Sequence, residues 1–185
     1  MFQTLKCRLA FDWISRAGFS ALLAAAGMCL ATPLFAEDWP QWRGLNCTGV
    51  TTSNKSLPVE FSPTKNVRWS AEVGDGICSP TIVAGRLFTT AMLGEKPGKM
   101  FVVLCFDAAT GQKQWEREIK IEGEELPKIH ESNSYASATP AADEERVYVY
   151  HARLGMMAFD AKTGETAWRR ELPEPYFVFD WGPGM

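Results

Sequence analysis

The feature of this sequence that most constrains its fold is an internal repeat built around three tryptophans. Each tryptophan is followed by two residues, a glutamate and an aliphatic residue, in the copies that begin at Trp69, Trp115 and Trp168. The copies are 46 and 53 residues apart. A motif that returns at this interval indicates an array of similar structural units rather than one irregular domain.

An Asp-Ala-x-Thr-Gly segment precedes the second and third tryptophans. Its aspartate and glycine are Asp107 and Gly111 in one copy, and Asp160 and Gly164 in the other. An aspartate can accept hydrogen bonds from backbone N–H groups two residues on, and glycine tolerates a positive φ. The segment therefore predicts a tight hairpin just before the strand that carries the tryptophan.

A proline after Ser or Thr marks the start of each of these two units, at Pro80 and Pro140. These prolines are 60 residues apart, whereas the two aspartates are 53 apart. The difference of seven residues predicts an insertion in the first unit. We expect it in the loop of Gly, Lys and Pro residues at 94–99.

Short runs of β-branched and aromatic residues, separated by turn signals, fill the first unit: 81–83, 87–90, 101–104 and 115–119. Four short strands in a repeat of this length are typical of one blade of a β-propeller. No window of a dozen residues after position 36 has a 3.6-residue apolar period, so no helix is expected. The sequence predicts an all-β propeller of four-stranded blades, of which about two are present.

Each repeated tryptophan is expected on the outermost strand of a blade, with its ring filling the gap against the neighbouring blade. Burial of a side chain of that size contributes about 2–3 kcal/mol. We therefore interpret Trp69, Trp115 and Trp168, with the two Asp and Gly pairs, as structural residues.

These residues carry a resemblance to a known family. Residues 158–168 match the tryptophan-docking motif of PQQ-type propellers, Ala-x-Asp-x-x-Thr-Gly-x-x-x-Trp, at every defined position, and the preceding copy departs only at Cys105. The resemblance covers about residues 61–185. The opening Asp-Trp-Pro-Gln-Trp-Arg-Gly at 38–44 is also similar to the start of mature bacterial envelope proteins of this class.

The resemblance implies a closed ring of about seven or eight blades. In such rings a strand like that of Trp69 commonly completes the last blade. One more repeat of 46 residues after Pro140 would place the next such proline at 186, just past Met185. We therefore expect an N-terminal fragment, an incomplete ring whose uncovered sheet faces and edges make it marginal or aggregation-prone alone.

The first 36 residues have the order of a secretory signal peptide: a basic start, an uncharged apolar stretch, a small residue and then acidic residues. The apolar stretch is short for a membrane span, and an uncleaved N-terminal anchor is the alternative. We expect a signal peptide at 1–36, an N-terminal extension at 37–60 and a partial propeller at 61–185. The exported protein would be periplasmic or secreted, and would not span the membrane once cleaved.

Charge and cysteine usage exclude several classes. Three of the 19 basic and one of the 22 acidic residues precede position 37, which leaves 16 basic and 21 acidic residues and a net charge of −5. A mildly acidic chain has no electrostatic footprint for nucleic acid. Cys47, Cys78 and Cys105 are an odd number of widely spaced cysteines, which is not a disulfide framework and allows one pair at most, and no Cys/His cluster has the spacing of zinc ligands.

Candidate binding residues lie where the chain enters the inner strands of the blades. His130, Asn133 and Tyr135 precede the second blade, and Trp181 arrives at the equivalent point of the next. Loops at these positions line the mouth of a propeller's channel and could face a ligand. The alternative is that the polar groups of this loop are hydrogen-bonded within the protein and only order the entry to the blade, and that Trp181 has a packing role. His151 ends an aromatic strand and is interpreted as structural.

Three functional hypotheses remain from the sequence. The first is an exported, non-catalytic propeller that binds a protein or small-molecule partner, because no catalytic constellation or identifiable cofactor site is present. The second is a fragment of a dehydrogenase that uses PQQ and calcium, for which the resemblance implies a catalytic aspartate and, in alcohol dehydrogenases, adjacent cysteines. Neither can be matched to a residue here. The third is a fragment without function as translated.

Overall fold

The computed structural model describes residues 37–95, 100–123 and 126–184. The predicted signal peptide at 1–36 lies outside them. The described residues form two four-stranded antiparallel sheets, with strand orders β1-β2-β3-β4 and β5-β6-β7-β8. The strands are β1 (Thr81–Val83), β2 (Arg86–Leu93), β3 (Met100–Asp107), β4 (Lys113–Lys120), β5 (Ala141–Ala142), β6 (Arg146–His151), β7 (Gly155–Asp160) and β8 (Thr166–Arg170).

This architecture confirms the predicted all-β fold with two blades. Each sheet is a meander, in which every strand pairs with the next one along the chain. The helical residues in the described ranges are two single turns of 3₁₀ helix, at Leu45–Cys47 and Val178–Asp180. The two innermost strands, β1 and β5, contact each other. The first strands of the two blades therefore converge, as strands do around the channel of a propeller.

The predicted insertion is only partly in the loop. The segment between β2 and β3 covers residues 94–99, and the matching segment between β6 and β7 covers 152–154, a difference of three residues. The other four residues lengthen β2 and β3, which have eight residues each where β6 and β7 have six. The insertion thus extends the middle of the first blade because its added residues pair across the two strands.

The hydrophobic core lies between the two sheets. Phe88 and Phe101 of the first sheet belong to one buried cluster with Val147 and Phe159 of the second. A separate cluster on the other face of the first sheet contains Val102 and its neighbours Ala91, Leu104 and Phe106. Strand β3 is therefore buried on both faces, which explains its nearly continuous apolar sequence.

The segment that carries Trp69 covers this second cluster without joining a sheet. Trp69 and Val73 pack against it, yet residues 67–73 form no strand. The expectation of an outer strand here is wrong for the described residues, because neither of their two sheets pairs with this segment. In the ring that the resemblance implies, its partner would be the last blade, which the described residues do not include.

The two predicted hairpins have the same local geometry. Asp107 Oδ1 accepts hydrogen bonds from the N–H groups of Ala109 and Thr110, at 3.0 and 2.8 Å. Gly111 closes the turn, with a φ of 75° and an N–H donated to the Asp107 carbonyl at 2.8 Å. Asp160 and Gly164 repeat this arrangement, with a glycine φ of 70°.

Replacement of Asp160 tests this turn. Hydrogen bonds from the Thr163 and Lys162 N–H groups hold the pKa of Asp160 below its ordinary value of 3.8. A lowered acid pKa stabilises the fold above pH 3.8, and that contribution is lost as the pH falls through the folded-state pKa. We expect Asp160→Ala to lower the urea midpoint more than Asp160→Asn, whose amide oxygen still accepts. Equal midpoints would contradict the assignment.

Candidate functional site

The junction between the blades is organised by Trp115. Its ring is 7% exposed and packs so closely on Gly164 that a Cβ there would lie 2.6 Å from the indole. The indole N–H donates to the carbonyl of Ala161 at 3.1 Å. The tryptophan of one blade is thus held by the hairpin of the next, through both shape and a directed hydrogen bond.

Trp69 repeats this contact one unit earlier. Its indole N–H donates to the carbonyl of Ala108 at 3.1 Å, and a Cβ on Gly111 would lie 2.5 Å from its ring. The ring also stacks on Phe106, with centroids 6.1 Å apart. The first blade therefore receives a tryptophan at its hairpin just as the second blade does.

Trp168 differs from the other two. It is 41% exposed, and all five residues of β8 are exposed. Its ring contacts Tyr148 of its own sheet, at 6.2 Å between centroids. Beside it is an open cleft of about 480 Å³ lined by Met156, Arg169 and Arg170. The expected position between two sheets is not reached, because no described hairpin remains to receive the ring.

Sequence reasoning missed a second interblade contact at Arg117. Its guanidinium donates to the carbonyl of Thr163 at 2.7 Å and lies 6.0 Å from the centre of the Trp115 ring. Residues two apart on a strand share a face, so Arg117 lies on the same face of β4 as Trp115. The signal was available, because an arginine also follows Trp168 at this spacing, as Arg170, although Trp69 lacks one.

The predicted channel-mouth residues lie in the loop before β5, and part of this loop is internal. Tyr135 is 8% exposed, its hydroxyl donates to the carbonyl of Pro127, and burial raises its pKa. The side-chain amide of Asn133 donates to the carbonyls of Trp181 and Pro183, at 2.5 and 3.1 Å. Ser137 also donates to Pro183, at 2.7 Å. These bonds hold the segment after β8 against the entry loop.

His130 and Trp181 remain at the surface. Their rings stack with centroids 4.6 Å apart and planes inclined by 23°. Trp181 is 54% exposed, and His130 Nδ1 is hydrogen-bonded to the Ser132 hydroxyl at 2.8 Å. Lys128 and Asp180 form an ion pair at 3.4 Å beside them. The structure thus brings together all four predicted residues, but only this stacked pair faces solvent.

His151 is buried between the sheets. It is 1% exposed, and its ring lies 4.9 Å from Phe101 of β3 and 6.3 Å from Tyr135. Nδ1 accepts the N–H of Arg153 at 3.1 Å, whereas Nε2 has no hydrogen-bond partner among the described residues. Burial, with the nearby charges of Arg153 and Arg169, lowers the pKa of His151 from 6.5 to about 4.

Possible metal ligands and thiols are scattered through the described residues. Within residues 37–95, 100–123 and 126–184, no three His, Cys, Asp or Glu side chains are grouped so that they could hold one metal ion. Cys47, Cys78 and Cys105 are free thiols. Burial raises the pKa of Cys105 to about 12, so this thiol is neutral and inert.

The chain matches the model of a known protein family. A family model described as outer membrane protein assembly factor BamB matches residues 50–176. A search of curated proteins finds no match. Among solved structures, a europium-containing methanol dehydrogenase is similar over 50% of this chain and 15% of its own length, with 20% identity and a TM-score of 0.33. The chain therefore spans only a small part of that enzyme.

The chain is a β-propeller protein of the PQQ-like repeat class, and it belongs to the family of outer membrane protein assembly factor BamB. The name of that factor associates the family with the bacterial envelope. No helix among the described residues is long and apolar enough to cross a membrane.

Proposed function

We propose that this chain is part of an exported, non-catalytic β-propeller that binds a protein or small-molecule partner at the mouth of its channel. The observation that carries the proposal is the exposed stack of His130 and Trp181 on a loop fixed by internal hydrogen bonds. A rigid loop with an exposed aromatic ring loses little conformational entropy on binding. Export is inferred from the order of charge and apolarity in residues 1–36.

The other polar groups near this loop support binding rather than catalysis. Asn133 and Tyr135 are engaged with backbone carbonyls of their own chain. His151 is enclosed between the two sheets, 1% exposed, with its ring centroid 4.9 Å from that of Phe101. The residues left to meet a partner are therefore an aromatic stack and an exposed ion pair, which recognise surfaces and flat apolar groups.

Site-specific photocrosslinking in the complete protein tests the binding proposal. A benzophenone side chain at Lys128, which is exposed beside the stack, is expected to give a discrete adduct in cells, and the same group at Val59, which is 96% exposed, is the matched control. Addition of Trp181→Ala should weaken the Lys128 adduct, because the exposed ring that meets the partner is lost. Equal labelling at both positions, or no adduct at Lys128, would overturn the proposal.

A titration separates this function from that of a quinoprotein dehydrogenase. The dehydrogenase alternative requires its cofactor site to be formed by residues other than those described here. We expect the complete protein to leave the absorbance of PQQ unchanged in the presence of Ca²⁺. Saturable binding of PQQ at one site per molecule would replace the non-catalytic proposal with the enzymatic one.

A further inference from the structure

The N-terminal extension crosses the inner side of both blades. We call residues 38–44 the inner segment. Trp39 pairs with Ile82 at the centre of β1, donating its N–H at 2.6 Å and accepting that of Ile82 at 2.9 Å. The next carbonyl, that of Pro40, accepts the N–H of Ala142 in β5 at 2.8 Å. One short stretch thus satisfies backbone groups of two separate sheets.

The paired groups belong to the edge of β1 that faces away from β2. In an antiparallel pair the backbone groups of successive residues point alternately toward and away from the partner strand. Ile82 uses both of its groups for the inner segment, between Thr81 and Val83. This is the edge at which a propeller blade ends at the channel, and an unpaired edge there would accept an extended chain.

The residue types of the inner segment suit this edge. Asp38 Oδ1 accepts the N–H of Ala84, at 2.9 Å, in the turn that follows β1. Proline has no N–H, so Pro40 can occupy an edge position where only an acceptor is used. The edge therefore binds three successive residues in three ways. The first supplies an acidic side chain, the second supplies both its backbone N–H and its carbonyl, and the third supplies only its carbonyl.

The chain turns back sharply after these contacts. The Trp39 ring packs on Gly44, where a Cβ would lie 2.6 Å from it, and the Gly44 N–H donates to the Gln41 carbonyl at 2.8 Å. Arg43, Asn46 and Cys47 all have positive φ values, between 55° and 61°. Hydrogen bonds from the Cys47 N–H to the Gly44 carbonyl and from the Gly49 N–H to the Arg43 carbonyl, at 3.1 and 2.7 Å, close the turn.

We propose that the inner edges of β1 and β5 form a binding edge for an extended peptide of the type Asp-aromatic-Pro, and that the inner segment occupies this edge in cis. The edge is distinct from the loop that carries His130 and Trp181, so it goes beyond the function proposed above. A partner's peptide gains access only by displacing residues 38–44.

The proposal is tested with a labelled peptide of residues 37–46 and the full chain. Asp38→Ala with Gly44→Ala vacates the edge, because it removes the acceptor for Ala84 and the space for the Trp39 ring. We expect the peptide to raise fluorescence anisotropy with this variant and to bind the parent chain at least about tenfold more weakly, since the parent site is filled. A peptide with Asp38 and Trp39 both replaced by alanine should bind neither.

Amide hydrogen exchange gives an independent readout. The N–H groups of Ile82, Ala84 and Ala142 should exchange at least about tenfold faster in the vacated variant and regain protection with the peptide. Val59→Ala, a substitution of an exposed residue in the same extension, should change neither measurement.

Three results would overturn the proposal: equal peptide binding by parent and variant, no binding by the variant, or unchanged exchange at the three amides. If the double variant fails to fold, Asp38→Ala alone decides. It should accelerate exchange at Ala84, and an unchanged rate there would contradict the proposed edge.

Discussion

Replacement of Trp115 by alanine is expected to lower the free energy of unfolding by about 3–5 kcal/mol. The ring is buried between the sheets, and its removal leaves a cavity together with an unsatisfied carbonyl at Ala161. Because the total stability of a domain is about 5–15 kcal/mol, this variant should unfold at a much lower urea concentration. Urea denaturation followed by circular dichroism measures the difference.

Trp168→Ala is the matched control, since it changes the same residue of the same motif. Trp168 is 41% exposed and lacks a receiving glycine, so its loss should cost about 1 kcal/mol or less. The test is therefore that Trp115→Ala lowers the free energy of unfolding more than Trp168→Ala does. A similar midpoint shift for both would mean that the tryptophans act through their own sheets and not through the contact between blades.

The stability of the chain is expected to fall between pH 6.5 and about 4 because of His151. Its pKa is 6.5 when unperturbed and about 4 in the fold, so the unfolded chain binds a proton more readily. Above pH 6.5 both states are neutral and there is no effect. As the pH falls to about 4 the unfolded state gains about 3 kcal/mol, at about 1.4 kcal/mol for each pKa unit, and below that the effect is constant.

His151→Asn removes this titration and keeps an acceptor for the Arg153 N–H. Its free energy of unfolding should therefore be nearly independent of pH between 6.5 and 4.5, although lower in absolute value because a buried ring is lost. A parent slope that persists in His151→Asn would show that another group titrates in this window.

The carboxylates act in a separate pH range. Hydrogen bonds from Thr110 hold the pKa of Asp107 below 3.8, and Asp160 is shifted in the same direction. Lowered acid pKa values stabilise the fold above pH 3.8 and are lost below it. The parent and His151→Asn should therefore both lose stability below about pH 3.8, and at the same rate once the pH is well below the folded-state pKa of His151, about 4.

The parts of the fold that depend on local sequence were the parts that could be predicted. Asp107 and Gly111 define a hairpin through bonds spanning only a few residues, and the first strand was predicted at its observed bounds, Thr81–Val83. The extension of β2 through Ala91 and Met92 was not predicted, since neither residue favours strands by itself. Pairing with β3 and burial place them in the sheet.

The candidate site depended on contacts that no local pattern contains. Asn133 is joined to Trp181 across 48 residues of sequence. This hydrogen bond forms because the segment after β8 folds back against the entry loop, and the stacking of His130 on Trp181 has the same cause. The burial of His151 likewise depends on Phe101, which belongs to the other sheet. The sequence was enough to place the candidate binding residues in one region, but it did not show which of them would be exposed to solvent.

The most direct test of the two-blade arrangement is hydrogen exchange at the indole N–H groups, resolved by NMR. The Trp115 N–H donates to a carbonyl in the hairpin of the other sheet, whereas Trp168 is exposed and meets no such hairpin in the described part of the chain. The account predicts that the Trp115 N–H exchanges only on global unfolding and that Trp168 exchanges at nearly the rate of a free indole. Equal, fast exchange at both rings would contradict it.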